Sequence, residues 1–234
     1  MMEKELEYKN KIKNNIKLIK QKIENAAKKI NRNLKDIKFM AVTKNVDPKY
    51  VNFAIQEGID LIGENRVQEL KVKHSQYKLN NTKIHFIGHL QTNKVKDILN
   101  YDIDCIESVD SLKLAQTISK QCEKNNKTIS VFLEINIGEE TTKFGFHCKE
   151  IIEKVKIMSK FPNIKIEGLM SIPPKKNTID YFKQMQLIYI DISNKKIDNV
   201  NMNFLSMGMS DDFEDAISCG ANIIRIGSLL FRGI

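Results

Sequence analysis

Apolar and polar positions alternate along this chain in two rhythms, and the first is helical. Between residues 12 and 30 the apolar side chains are spaced alternately four and three apart, which is typical of one buried stripe on a helix. The stripe consists of Ile12, Ile16, Ile19, Ile23, Ala26 and Ile30. This pattern predicts an amphipathic helix within residues 1–35, which packs through its isoleucines on the rest of a single domain spanning 1–234.

After this helix, short apolar runs of the strand type alternate with helical patterns. The predicted strands are 37–43, 59–63, 84–88, 103–107, 128–137, 164–170, 203–207 and 222–226. The predicted helices between them include 48–56, 93–99, 110–122 with Asp110 as its N-cap, 149–159, 179–193 and 211–219. Mostly apolar strands in such an order favour a parallel sheet covered by helices.

The number of predicted strands indicates which parallel-sheet fold to expect. Eight strands in 234 residues fit the roughly 250 residues of an eight-stranded α/β barrel. We therefore predict an α/β fold, a single (β/α)8 TIM-type barrel with an extra N-terminal helix. An open, doubly wound sheet is the structural alternative.

Charge is distributed unevenly along the chain. Lys and Arg number 38 against 29 acidic residues, a formal net charge of +9, yet residues 1–38 hold 12 basic and 5 acidic side chains and the remainder 26 and 24. The surplus therefore belongs to the predicted N-terminal helix, where we expect lysines to cover the outer face. Binding of nucleic acid or a membrane surface through this basic segment remains an alternative function.

The cysteines and the hydropathy pattern bear on the compartment. The four cysteines are widely spaced without a C-x-x-C pair, which predicts reduced thiols. No apolar run approaches the ~20 residues of a membrane span, and the N-terminus lacks the apolar core of a signal peptide. We expect a cytoplasmic protein.

Candidate chemistry follows from the strand ends, because the active sites of such barrels lie at the C-terminal ends of the strands. Lys44 directly follows the apolar run FMAVT, and a poorly solvated strand end favours Schiff-base chemistry of an amine. The alternative is a solvated lysine at a strand terminus. After the last two predicted strands, SMGMSDDFEDAI and RIGSLLF offer glycines and serines that suit a phosphate, or that merely form tight turns and helix caps.

Other motifs are weaker or missing. His85 and His89 have the four-residue spacing of zinc ligands on a helix, but the residues between them predict a strand, so we expect no metal. The chain has no G-x-G-x-x-G, Walker loop or G-x-S-x-G. A dinucleotide enzyme, a P-loop NTPase and an α/β-hydrolase therefore have no motif support.

Several longer segments, in order along the chain, resemble the pyridoxal phosphate homeostasis protein family. They are AVTK, GENRVQE, HFIGHLQTNK, EINIGEETTKFG, GLMSIPP, SMGMSDDFEDAI and RIGSLLF. The resemblance covers nearly all of the chain after the N-terminal helix. It implies a single-domain barrel similar to the N-terminal domain of bacterial alanine racemase.

The resemblance also implies a cofactor and the residues that hold it. Pyridoxal 5'-phosphate (PLP) would be bound as a Schiff base on Lys44, with Asn65 close to it and Arg225 approaching the pyridine nitrogen. The residues implied for the phosphate are Ser206, Met207, Gly227 and Ser228. A permanent cation at the pyridine nitrogen would weaken PLP as an electron sink.

On this basis we expect a PLP-binding protein of PLP homeostasis that carries the cofactor without robust catalysis. We expect it to be a monomer whose partners are PLP and apo-PLP enzymes, with no nucleic acid or membrane. The alternative within the same chemistry is a fold-type III PLP-dependent amino-acid racemase. Related racemases take a second base from an additional β domain, for which this chain has no room.

Overall fold

The computed structural model describes residues 2–234 and contains a closed barrel of eight parallel strands, each paired with its neighbours in chain order and β1 with β8. The strands are β1 Lys38–Val42, β2 Leu61–Glu64, β3 Lys83–Phe86, β4 Cys105–Val109, β5 Ile129–Glu134, β6 Ile164–Met170, β7 Val200–Ser206 and β8 Ile223–Ile226. The predicted barrel is confirmed, and closure excludes the open sheet.

Alternation along each strand divides the core in two. Side chains that point into the barrel form a small apolar cluster of Met40, Leu61, Cys105, Phe132, Met170 and Ile223. Side chains that point outward, such as Ala41, Ile62 and Ile224, belong to the larger core between the strands and the helices. Polar residues that continue the inward series toward the strand ends therefore meet inside the barrel.

The outer layer consists of α1, which precedes the first strand, and of helices that follow the strands. They are α1 Met2–Lys29, α2 Pro48–Gln56, α3 Val67–Lys73, α4 Val95–Ile98, α5 Leu112–Lys124, α6 Ile151–Met158, α7 Thr178–Asn194 and α8 Phe213–Ser218, with short 3-10 turns at Leu34–Asp36, His74–Gln76 and Thr92–Lys94. The predicted α2 matches in both bounds. The N-cap of α5 is Ser111, whose side chain accepts from the backbone N–H of Leu114, and not the predicted Asp110.

The N-terminal helix completes the ring of helices. Residues 227–233 after β8 form turns, so no helix follows the eighth strand, and α1 instead packs against both α2 and α8. Asn15 Nδ2 donates to the carbonyl of Leu230 at 2.9 Å, and Lys22 Nζ lies 2.9 Å from Glu214 Oε1. The helix therefore occupies the position of the missing eighth outer helix.

The predicted apolar stripe on α1 is buried except at its end. Ile12, Ile16, Ile19, Ile23 and Ala26 are at most 4% exposed, whereas Ile30 is 38% exposed. Ile30 was predicted to be in the stripe, but the helix ends at Lys29 and the chain turns through Asn31 with φ of 52°.

The four cysteines are free thiols. Among residues 2–234, no helix is both long and apolar enough to cross a membrane.

Candidate functional site

The predicted site residues lie along one arc of the barrel mouth. Lys44 follows β1, Asn65 follows β2, Ser206 ends β7, and Arg225 lies in β8. Because β1 pairs with both β2 and β8, and β8 with β7, these four strand ends are contiguous. Met207, Gly227 and Ser228 directly follow β7 and β8 on the same arc.

Lys44 lies in a turn beyond the end of its strand. The β1 ladder ends at Val42, and Lys44 and Asn45 form a turn in which Asn45 has φ of 58°, a left-handed conformation that Asn tolerates. The side chain of Lys44 is exposed. The expectation of a poorly solvated Lys44 was therefore wrong, because the residue extends past the strands that would have covered it.

A buried polar group holds this turn from beneath. We call it the turn clamp; it consists of Thr43, Glu64, Glu69, Lys73 and Tyr77. Lys73 Nζ donates to the backbone carbonyl of Thr43 at 2.9 Å and to Glu69 Oε2 at 2.7 Å. The same Glu69 oxygen accepts the backbone N–H of Asn45 at 2.9 Å.

Glu64 forms the inner side of the turn clamp. It is fully buried, and its Oε1 accepts the hydroxyls of Thr43, at 2.6 Å, and of Tyr77. Lys73 Nζ lies 3.7 Å from the same oxygen. Burial and the neighbouring Glu64 carboxylate raise the pKa of Tyr77. The phenol therefore stays a donor, which the carboxylate requires.

The Glu69 carboxylate links Lys73 to the backbone N–H of Asn45, the residue after Lys44. Burial acts to raise the pKa of this carboxyl. The hydrogen bonds from Lys73 and from the Asn45 N–H, together with the charges of Lys73 and Arg66, outweigh burial and lower it. Glu69 is therefore held as a carboxylate, an acceptor for both partners.

A second buried polar group lies inside the barrel. We call it the lumen cluster; it consists of His85, Glu107, Ser171, Ser206 and Arg225. Arg225 donates from NH1 to Ser206 Oγ at 2.7 Å and from NH2 to the carbonyl of Ser171 at 2.8 Å. Ser206 Oγ donates to Glu107 Oε2 at 2.6 Å, and Glu107 Oε1 lies 2.6 Å from His85 Nδ1.

The charges at the barrel mouth are coupled to Arg225. Burial lowers the pKa of its guanidinium, and the acidic groups of Glu107, Glu134 and Asp212 oppose that shift. At the end of β5, burial and the nearby Asp110 raise the pKa of Glu134 to about 7, against the pull of Arg225. Glu134 therefore titrates near neutral pH at the same mouth.

The two predicted phosphate loops face each other across β7 and β8. Leu229 N–H donates to Ser210 Oγ at 3.2 Å, which joins the loops. Gly208 has φ of +92°, and a Cβ there would lie 2.5 Å from the Cβ of Ala216. Ser228 is exposed, whereas Ser206 and Met207 are fully buried and the Ser206 hydroxyl is used within the lumen cluster.

The two histidines weighed as metal ligands have separate partners. His85 belongs to the lumen cluster, whereas His89 Nδ1 lies 3.0 Å from Asp110 Oδ2 and its ring stacks on Phe144 at 3.6 Å. Within residues 2–234 no group of three His, Cys, Asp or Glu side chains could hold a metal ion.

Sequence reasoning missed most of the supporting residues. Lys73, Tyr77 and Glu107 were not selected, and Glu64 was noted only as a residue at the end of a predicted strand; GENRVQE contains Glu64 and Glu69. A charged residue in the inward or outward series of an apolar strand is the signal that could have found Glu64 and Glu107. Lys73 and Tyr77 gave no signal, because their burial depends on how α3 packs on the barrel.

A separate cavity of about 150 Å³ opens at the opposite end of the barrel. Its lining includes Lys38, Asp60 and Lys83 at the strand starts, and it reaches inward to His85 and Phe132. None of the predicted site residues lines it. The predicted site residues lie instead at the C-terminal ends of the strands.

Comparisons with known proteins identify the family of this chain. The family model described as "Alanine racemase, N-terminal domain" matches residues 9–233. The chain is similar to the pyridoxal phosphate homeostasis protein of Aquifex aeolicus, at 37% identity over 90% of this chain and 93% of the relative. That of Haemophilus influenzae is 34% identical over 94% of each chain.

A solved structure shares the fold. PipY of Synechococcus elongatus, described with PLP bound, superposes with a TM-score of 0.78 at 27% identity and covers 90% of this chain and 99% of its own. The identity to the curated relatives, the share of each chain that they cover and the match to the family model lead to one conclusion. The chain belongs to the pyridoxal phosphate homeostasis protein family, which shares its barrel with the N-terminal domain of alanine racemase.

Proposed function

We propose that this chain binds PLP at the barrel mouth through the amine of Lys44 and serves PLP homeostasis as a carrier. The observation that carries the proposal is the placement of an exposed lysine, in a turn held by hydrogen bonds from Lys73 and to Glu69, on the same arc as Arg225 and two glycine-containing loops. The family relatives are named for PLP homeostasis, and PipY is described with PLP bound.

The residues at the mouth fit the chemical parts of this cofactor. When bound, PLP supplies an aldehyde that reacts with amines. Lys44 offers the amine, Arg225 offers a cation for the ring nitrogen, and Asn65 Oδ1 is a buried acceptor without a partner among the described residues. An unpaired buried polar atom at this position suits a bound ligand group.

The phosphate would lie over the turns that contain Gly208 and Gly227. Ser228 has an exposed hydroxyl that can donate to it. Ser206 and Met207 support this wall from beneath, because both are buried and the Ser206 hydroxyl holds Arg225. This division of roles between the two predicted serines is part of the proposal.

A carrier role is favoured over turnover by the group that faces the ring nitrogen. Arg225 bonds to Ser206 and to the Ser171 carbonyl, and guanidinium is a poor proton donor. A ring nitrogen that faced this cation would stay unprotonated, so the bound cofactor would be a weaker electron sink. The exposed position of Lys44 also leaves its amine open to exchange with another protein.

The recipients and the setting complete the proposal. Apo-PLP enzymes would receive the cofactor from a monomer that acts in the cytoplasm without binding nucleic acid or membrane. The four free thiols suit a reducing compartment. Within α1, Lys11 and Lys28 pair with Glu7 and Glu24, which reduces the charge free for an anionic partner.

Loading with PLP and an exchange assay test this function together. We expect the purified protein to retain one PLP per chain after excess is removed, and to exchange the α-proton of L-alanine in deuterated water far more slowly than about 1 s⁻¹. No retained PLP would contradict the cofactor. Exchange at about 1 s⁻¹ or faster would contradict the carrier role and support the racemase alternative.

A further inference from the structure

One lysine of this chain is buried and is not among the residues proposed to contact the cofactor. Lys73, the last residue of α3, is 8% exposed, and it is the only lysine among the described residues that is buried. Removing an ammonium group from water is costly unless charged or polar partners compensate for it. Packing alone therefore does not explain why the ammonium group of Lys73 is buried.

Its partners are the two residues that flank Lys44. Lys73 Nζ donates directly to the carbonyl of Thr43, on the N-terminal side. Through Glu69 it reaches the N–H of Asn45, on the C-terminal side. The bonds therefore restrain both peptide groups next to Lys44, which fixes the direction in which its side chain leaves the backbone.

The turn alone would fix this direction less firmly. Thr43 O also accepts Val46 N–H at 3.0 Å, the bond that closes the turn, and Asn45 adopts a left-handed conformation. A left-handed residue in an exposed turn exchanges with other conformations unless neighbouring bonds hold it. An apolar side chain in place of Lys73 could fill the space but could not hold either peptide group.

We propose that Lys73 and Glu69 are a positioning pair that orients Lys44 toward the barrel mouth for reaction with the cofactor. This inference rests on the proposed function, because it assigns the pair to the reaction of Lys44. Neither residue touches the reacting atoms. Their contribution is a higher rate of adduct formation, since misplacement of a reacting group by about 1 Å can cost up to 100-fold.

The test compares variants of the full chain for the rate at which PLP forms a borohydride-reducible adduct at Lys44, located by peptide mapping. Lys73→Met keeps the apolar stem and removes the donor. Lys71→Met is the matched control, because Lys71 lies on the same helix and is exposed. We expect about tenfold slower adduct formation in Lys73→Met and a rate within about twofold of wild type in Lys71→Met.

Glu69→Gln keeps the inference falsifiable if Lys73→Met does not fold. It retains a side-chain oxygen for Asn45 but loses the charge that binds Lys73, so we expect an intermediate rate, about threefold slower. Cooperative thermal unfolding of each variant separates misfolding from misorientation. A folded Lys73→Met or Glu69→Gln that forms the adduct at the wild-type rate would overturn the inference.

Amide exchange in the protein without PLP tests the same geometry independently of the cofactor. The N–H of Asn45 should exchange about tenfold faster in Lys73→Met than in Lys71→Met, because its acceptor is no longer held. If the wild-type adduct maps to a lysine other than Lys44, the proposed function fails at its anchor, and this exchange result alone decides whether the pair restrains the turn. Equal exchange in the two variants would contradict the restraint.

Discussion

The turn clamp and the lumen cluster lie at the same barrel mouth but hold different kinds of group in place. In the turn clamp, charged side chains hold backbone groups, namely the carbonyl of Thr43 and the N–H of Asn45. In the lumen cluster, side chains hold another side chain, since Ser206 stands between Glu107 and the guanidinium of Arg225. The first fixes where a reactive amine leaves the chain, and the second fixes a cation inside the barrel.

The difference follows from where each group lies on the strands. Thr43 and Glu64 point outward, under α3, where a helix can bring Lys73 against the turn. Glu107, Ser206 and Arg225 point into the barrel, where their partners are strand side chains and the backbone carbonyl of Ser171, directly after β6. We therefore expect changes in the lumen cluster to affect stability most, and changes in the turn clamp to affect reaction at Lys44 most.

The largest effect should come from Glu107→Ala. It removes the acceptor of the Ser206 hydroxyl, the partner of His85 and a negative charge that offsets the buried Arg225, so we expect the free energy of unfolding to fall by about 3 kcal/mol. Urea denaturation measures this change. Glu123→Ala, an exposed site on α5, is the control and should change stability by less than about 0.5 kcal/mol. Equal losses in both variants would show that Glu107 does not organise the barrel interior.

A pH-dependent effect should come from Glu134, at the edge of the lumen cluster. The folded protein holds its proton more tightly than the unfolded chain, because the pKa rises from 4.5 to about 7. Its contribution to stability is therefore present below pH 4.5 and is lost as the pH rises to about 7.

Glu134→Gln removes this titration. We expect it to be nearly neutral at about pH 4.5 and to stabilise the protein by about 2 kcal/mol at about pH 8. Denaturation at both pH values measures the difference, with the exposed Glu153→Gln on α6 as control. A Glu134→Gln effect that does not change with pH would refute the shifted titration.

Substitution of the two serines implied for the phosphate should have different effects, one on stability and the other on PLP binding. Ser206→Ala removes the bridge between Arg225 and Glu107 and should lower the free energy of unfolding by about 1.5 kcal/mol. Ser228→Ala should leave unfolding within about 0.5 kcal/mol but weaken PLP binding about tenfold. Denaturation of the protein without PLP and a PLP titration measure the two effects. A loss of stability in Ser228→Ala together with unchanged stability in Ser206→Ala would contradict the proposed division of roles.

The smallest effect should come from Tyr77→Phe in the turn clamp. Glu64 keeps the hydroxyl of Thr43 and the nearby Lys73, so the loss of one donor should cost about 1 kcal/mol of unfolding free energy. Tyr181→Phe on α7 is the matched control. A loss as large as that of Glu107→Ala would remove the distinction between the two groups.

The parts of the molecule that could be predicted from sequence are those set by periodicity and chain order. Alternation along the strands predicted the barrel, and position at the strand ends predicted that Lys44 and the loops at the ends of β7 and β8 would share one rim, whereas Asn65 was implied by the family resemblance. The turn clamp could not be predicted, because Lys73 and Tyr77 become buried only when α3 packs on β1 and β2. The burial expected for Lys44 failed for a related reason, since β1 ends at Val42 and Lys44 lies in the exposed turn beyond it.

Ile30 and the chain after β8 both show that apolar periodicity does not predict where a helix ends. The apolar stripe continues past Lys29 in the sequence, but the backbone turns at Asn31, which periodicity does not register. The pattern after β8 contains apolar residues that pack in turns under α1, and only the closed ring of helices explains why no further helix is needed.

The central claim is that Lys44 is the amine that holds PLP. Borohydride reduction of the PLP-loaded protein, followed by peptide mapping, tests it most directly, with Lys44→Ala beside the wild type. We expect a stoichiometric pyridoxyl modification on Lys44 in the wild type and none at that level in Lys44→Ala. Stoichiometric modification that persists in Lys44→Ala, or that maps to another lysine in the wild type, would contradict it.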